Sequence, residues 1–184
     1  MATSENKKWG VVKAGMFEAE VRPQKYFHLP GVNEATVGSE QIAVNLVVLP
    51  PGAVAKGHVH HGHETVIFVL DGWSLTFMGP TQEHAVAGPG EFLFIPKGVE
   101  HLAVNLSDTK PVVGLICRSD PKLYTSLELL PHIDEAVADK IATLRAQHEA
   151  GELPKNWKKD YRQDFNLDDW KAMWLKMTNG EVRE

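Results

Sequence analysis

The chain has 184 residues, 43% of them hydrophobic and 23% charged, with a formal net charge of −5. That length gives about one domain with a full core, and the composition excludes disordered and fibrous classes. The acidic balance argues against nucleic acid as the main partner, and the single cysteine, Cys117, excludes an internal disulfide framework.

Residues 1–8 are polar, with neither an apolar signal core nor a cleavage pattern. No window has the apolar length needed to span a bilayer. The expectation is a soluble cytoplasmic protein with no membrane partner.

Residues 1–40 read as an N-terminal segment of short edge strands, punctuated by Arg22-Pro23 and Leu29-Pro30-Gly31. Ile42, Val44, Leu46 and Val48 alternate along the next strand, which Pro50-Pro51-Gly52 ends. Val66–Leu70 is a buried strand, and Asp71-Gly72 a hairpin turn. Trp73, Leu75 and Phe77 alternate along the strand that follows. Glu83–Ala87, Phe92–Ile95, His101–Asn105 and Val112–Cys117 complete the series, each bounded by Gly, Pro or Asp.

Many short strands between Gly/Pro turns predict an all-β antiparallel sandwich or barrel over 41–120. The helical signal is confined to 121–184. Ile133, Val137, Ile141 and Leu144 recur at helical spacing between Pro131 and Gly151. A second helix starts at Asn166 and carries Leu167, Trp170, Trp174 and Met177 on one face. The two helices form an extension packed on the barrel or on a partner subunit.

The chemistry concentrates between Gly52 and Gly72. Four of the nine histidines, His58, His60, His61 and His63, fall within six residues, and Glu64 follows. Residues two apart on a strand share a face, so His58 and His60 reach one ion together. A turn through His61-Gly62-His63 brings Glu64 round, and His101 joins from far along the chain. Three neutral imidazoles and one carboxylate suit Fe(II) or Mn(II), with Ni, Co or Zn possible.

Gly52, His58, His60, Glu64 and Gly72 resemble the first motif of the cupin superfamily. Gly90, Pro96, Gly98, His101 and Asn105 resemble its second motif, without departure. The first departs in one spacing: seven residues separate Glu64 from Gly72, where the motif has six. Counting back from Gly72 puts Thr65 at the glutamate's place. Either the strand carries a one-residue bulge and Glu64 is the fourth ligand, or His63 contributes instead.

The resemblance, over about 42–118, implies a small RmlC-like double-stranded β-helix: a cupin jelly-roll barrel with the metal in its mouth. It implies a metal-dependent enzyme acting on a small-molecule substrate, with a mononuclear Fe(II) dioxygenase foremost. The alternatives are a non-oxidative lyase, isomerase or cyclase, and a module that binds a small ligand without turnover. His63 and Glu100 are the candidates for proton transfer. A homodimer is expected, because many cupins pair through their sheets.

Bland roles are assigned to the remaining conspicuous residues. His61 and His63 read first as turn residues, His84 as exposed, and His28, His132 and His148 as surface. Phe68, Phe77, Phe92 and Phe94 read as core and cavity lining, and Cys117 as a buried structural thiol. Lys155 to Lys159, with Trp157 and Tyr161, form a solvated loop rather than a nucleic-acid site.

Overall fold

A computed structural model describes residues 10–122 and 126–152. The second predicted helix and the basic cluster lie outside the described residues. The architecture is two antiparallel sheets packed as a jelly roll, with the two longer helices against the five-stranded one.

The six-stranded sheet contains β1 (Glu20–Val21), β2 (Phe27–Val32), β3 (Ala43–Leu49), β5 (Thr65–Asp71), β8 (Phe92–Ile95) and β10 (Val112–Arg118), in the order β1-β2-β3-β10-β5-β8. The five-stranded sheet contains β4 (His58–His60), β6 (Ser74–Met78), β7 (Glu83–Ala87), β9 (His101–Asn105) and β11 (Leu127–Leu129), in the order β11-β4-β9-β6-β7. One-turn α1 (Glu34–Val37) is capped by Asn33, which accepts from the Thr36 amide. After β11 come α2 (Pro131–Ala136) and α3 (Ala138–Glu149).

The five-stranded sheet is covered on both faces. Leu75, Phe77, Leu102 and Val104 point outward and are fully buried beneath Ile133, Val137, Ile141 and Leu144 of the helices. Covering one such side chain contributes about 1.5–3 kcal/mol. The opposite face turns Ser74, Thr76, His101 and Ala103 toward the other sheet. There Leu49, Val69, Leu93, Ile95 and Val112 form a second core.

Polar contacts fix the helices to this frame. Asp134 accepts from Lys56 Nζ at 2.6 Å and from the Gly57 amide at 2.7 Å. Arg145 Nη2 donates to the carbonyls of Gly52 and Asn105, at 2.6 and 3.0 Å. The single helix expected over 131–150 is divided at Val137, whose φ of −108° opens the turn. The ladder persists across it, since the Ile141 amide still bonds Val137 at 2.9 Å.

Three expectations are corrected. Phe92 and Phe94 are 72% and 52% exposed, and Leu93 and Ile95 take the inward positions of β8. His28 is fully buried rather than on the surface. Cys117 is half-buried, with its thiol pKa raised by that burial. Among the described residues, no helix is long and apolar enough to cross a membrane.

Candidate metal centre

The site begins with three strand positions. His58 and His60 lie two apart on β4, and His101 opens β9, where it is the register partner of His58. All three are 5% exposed or less. One ring nitrogen from each lies within 4.8 Å of the other two. The ring centroids stand 4.2 Å apart for His58 and His101, 5.0 Å for His58 and His60, and 5.5 Å for His60 and His101.

The backbone sets the tautomers. His58 Nδ1 lies 2.7 Å from the Lys56 carbonyl and His101 Nδ1 2.9 Å from the Val99 carbonyl. A carbonyl only accepts, so each Nδ1 is the protonated nitrogen and Nε2 keeps its lone pair. Both ring nitrogens of His60 are buried without a hydrogen-bond partner among the described residues. Such a group is costly unless something binds it, and a divalent ion is the partner the three nitrogens fit. The Gly98 amide donates to the His60 carbonyl at 2.8 Å and ties the second motif's turn to β4.

Every imidazole here is held neutral, the form that binds metal. Burial pushes His58 well below its ordinary pKa, with help from His101. Burial, then the Arg118 charge, lowers His60. Burial pushes His101 down to about 4, against a raising contribution from its bond to Val99.

The carboxylate expected as fourth ligand is not in the cluster. Glu64 is exposed, and its amide donates to the Ser119 hydroxyl oxygen at 3.1 Å. Thr65, the first residue of β5, faces inward with Ile67 and Val69. A bulge does occur in β5: Val113 pairs with Asp71 and Gly114 with Val69, leaving Leu70 over. It lies at the far end of the strand and leaves the inward parity of Thr65 unchanged.

His63 is buried rather than solvated at a turn. Its ring lies 4.4 Å from that of His60, and its Nδ1 is 3.4 Å from Asp120 Oδ2. Burial, then Arg118, lowers its pKa against the opposing Asp120 charge. Glu100 points away from the cluster. It lies 3.5 Å from Gln82 Nε2 and 3.9 Å from His132 Nε2, on the helix side of the sheet. His61 is exposed and pairs with Glu128 at 2.8 Å.

Two of the imidazoles, His58 and His101, open onto a cavity of about 70 Å³ between the sheets, mostly apolar. Three of its polar lining residues went unnoticed in the sequence: Tyr26, Thr76 and Arg118. Arg118 donates to the Tyr26 hydroxyl at 3.2 Å. Its inward position follows from the alternation of β10, since Val112, Gly114 and Ile116 line the same cavity. The second motif's asparagine, Asn105, holds the closed end. Its Nδ2 donates to the carbonyls of Leu49, Pro50 and Lys110, at 3.1, 2.8 and 2.8 Å.

Comparison with known proteins gives a consistent picture. A family model for the cupin domain matches residues 45–117. The polyketide cyclase RemF from Streptomyces resistomycificus is similar in structure, with a TM-score of 0.54 and 21% identity, over 60% of this chain and 79% of that one. A predicted oxalate decarboxylase from Thermotoga maritima gives 0.52 and 16%, over 60% and 98%. A Klebsiella pneumoniae protein with a double-stranded β-helix domain gives 0.50 and 14%, over 64% and 97%. No curated protein matches the sequence.

Proposed function

Because the chain belongs to the cupin superfamily, we propose that it is a metal-dependent enzyme acting on a small organic substrate, as a mononuclear Fe(II) dioxygenase. His58, His60 and His101 hold the ion. The observation that carries this reading is the convergence of three buried, neutral imidazole nitrogens within 4.8 Å at the edge of an apolar cavity. A divalent ion there supplies Lewis acidity and open coordination positions, and iron adds chemistry with dioxygen.

The protein's own residues do the rest. The Lys56 and Val99 carbonyls orient two of the imidazoles. Ile67, Val69, Ile95 and Ile116 wall the cavity and exclude bulk water from the reacting molecule. His63, buried beside His60 and facing Asp120, is the group placed to carry a proton. Glu100 has no part, since its carboxylate faces the helices.

Metal analysis of protein purified without chelators is the first test, with one ion per chain expected. Fe(II)-loaded protein is then incubated with phenolic and keto-acid panels under air and under nitrogen. Oxygen uptake coupled to product supports the dioxygenase. Turnover under nitrogen moves the protein to the lyase, isomerase or cyclase group, and saturable binding without product makes it a ligand-binding module. A homodimer belongs to the same reading, supported by the exposed Phe92 and Phe94 on edge strand β8. Light scattering tests it.

A further inference from the structure

We propose that the substrate carries a carbonyl group, whose oxygen accepts from the hydroxyls of Thr76 and Tyr26 on opposite walls of the cavity. This deepens the metal-enzyme reading and rests on it for the chemistry, but not for the binding.

Thr76 carries the first half of the argument. It lies in the middle of β6, turned to the cavity and 1% exposed, and its Oγ1 has no hydrogen-bond partner among the described residues. Its neighbours across the sheet are Ala85 and Ala103, whose side chains offer no polar atom. A buried hydroxyl is rarely left so. A group that satisfies it reaches it from inside the cavity.

Tyr26 carries the second half, independently. It comes just before β2, on the other sheet, and lines the same cavity. Its oxygen accepts from Arg118 Nη2 at 3.2 Å, which leaves the phenolic proton to be donated. Among the described residues that proton has no acceptor. Accepting from a cation also polarises the O–H and makes it a better donor. A carbonyl oxygen has two lone pairs and no proton, so it takes one bond from each hydroxyl.

The register places this oxygen relative to the imidazoles. His101 is level with Met78, and Ala103, the next inward residue of β9, is level with Thr76. Successive inward residues on a strand are about 7 Å apart, so Thr76 stands one step from the histidines toward the end that Asn105 closes. Size narrows the class further: the space holds about five to seven water-sized groups. Ile67, Val69, Ile95 and Ile116 make its walls aliphatic, which suits a short alkyl skeleton on the carbonyl. Gly114 helps to keep that space open, because a Cβ there would stand 3.2 Å from Ile67 Cγ2 and 3.5 Å from Val47 Cγ2.

The test uses methyl isopropyl ketone, which has that size, and its hydrocarbon isostere with a methylene group in place of the carbonyl oxygen. Both are titrated calorimetrically into full-length protein, metal-free and Fe(II)-loaded under nitrogen, and infrared spectroscopy reads the carbonyl stretch of the bound ketone. Thr76→Val, which keeps the shape of the side chain, should weaken ketone binding about two- to tenfold, the scale of one neutral hydrogen bond, without weakening binding of the hydrocarbon. Tyr26→Phe should do the same. The stretch should lie below its value in hexane and rise toward that value in each variant. Absence of ketone binding, parallel changes for the two compounds, or a stretch that neither variant moves overturns the proposal. If Thr76→Val does not fold, Tyr26→Phe and the wild-type stretch still decide. These ketone responses in protein that takes up no Fe(II) sink the metal-enzyme reading alone; Fe(II) binding without them sinks this one alone.

Discussion

Thr65 and Arg118 are register partners across β5 and β10, and both side chains line the cavity beside the imidazoles. This pairing puts a hydroxyl where the first motif of the superfamily has a carboxylate, and turns Glu64 to solvent. Glu64→Gln should therefore leave metal affinity within about twofold of wild type. His60→Ala should lower it by at least about 100-fold, since even residues that only support a ligand typically cost 10–100-fold. Competition with a colorimetric chelator measures both. A large loss in the Glu64 variant would show that this side chain swings inward to the ion, and the three-histidine site would have to be abandoned.

The strands were legible because Gly and Pro mark their ends. β7, β8 and β9 fall on the bounds that the turns predict. The facing of a strand was harder to read. Phe92-Leu93-Phe94-Ile95 carries no polar residue to set its phase, so the larger aromatics were placed inside when Leu93 and Ile95 are. Glu64 suffered from the same ambiguity, because a shift of one residue reverses a strand's faces. The three histidines were readable from motif spacing alone. Arg118, Tyr26 and Thr76 were not: each is an ordinary residue in its own segment, and only sheet pairing brings them to one cavity. His63 sits beside His60 through a turn whose path the sequence does not specify.

His28 makes stability depend on pH, apart from any metal. It is fully buried, and burial, reinforced by Arg22 and Arg118, pushes its pKa from 6.5 down to about 3. The unfolded chain takes up a proton near pH 6.5, whereas the fold refuses it until about pH 3. Stability is thus fully present above 6.5 and declines as pH falls through that window, by up to about 1.4 kcal/mol per pH unit for this group. In urea unfolding of metal-free protein, the stability difference between wild type and His28→Gln should shift against wild type between pH 6 and 4. A difference that stays constant would mean that His28 is protonated in the fold.

Gly72 closes the first motif for a steric reason. Its φ is +79°, and a Cβ there would collide with the carbonyl oxygen of Pro111. Backbone cannot move aside as a flexible side chain does, so Gly72→Ala meets both a disfavoured conformation and a clash. The expected loss is more than about 1 kcal/mol, read as a lower urea midpoint. Gly79 has a similar φ of +71° but nothing within 4 Å of a Cβ, so Gly79→Ala isolates the conformational part. Equal losses in the two variants would show that the Pro111 contact contributes nothing.

The helices and the cavity lie on opposite faces of the five-stranded sheet, which separates their roles. Ile133 is fully buried against the outward side chains of β6 and β9, while the histidines and Thr76 face the other way. Ile133→Ala should cost about 2–5 kcal/mol, the range for a buried aliphatic truncated to alanine. For a chain of this size that lowers Tm by at least roughly 4 °C. Metal content and ketone affinity at 20 °C should not change, because no cavity wall is touched. Weakened metal or ligand binding in a variant still folded at that temperature would contradict a purely supporting role. The five-stranded sheet would then transmit strain from the helices to His101, and α2 would have to be counted as part of the site.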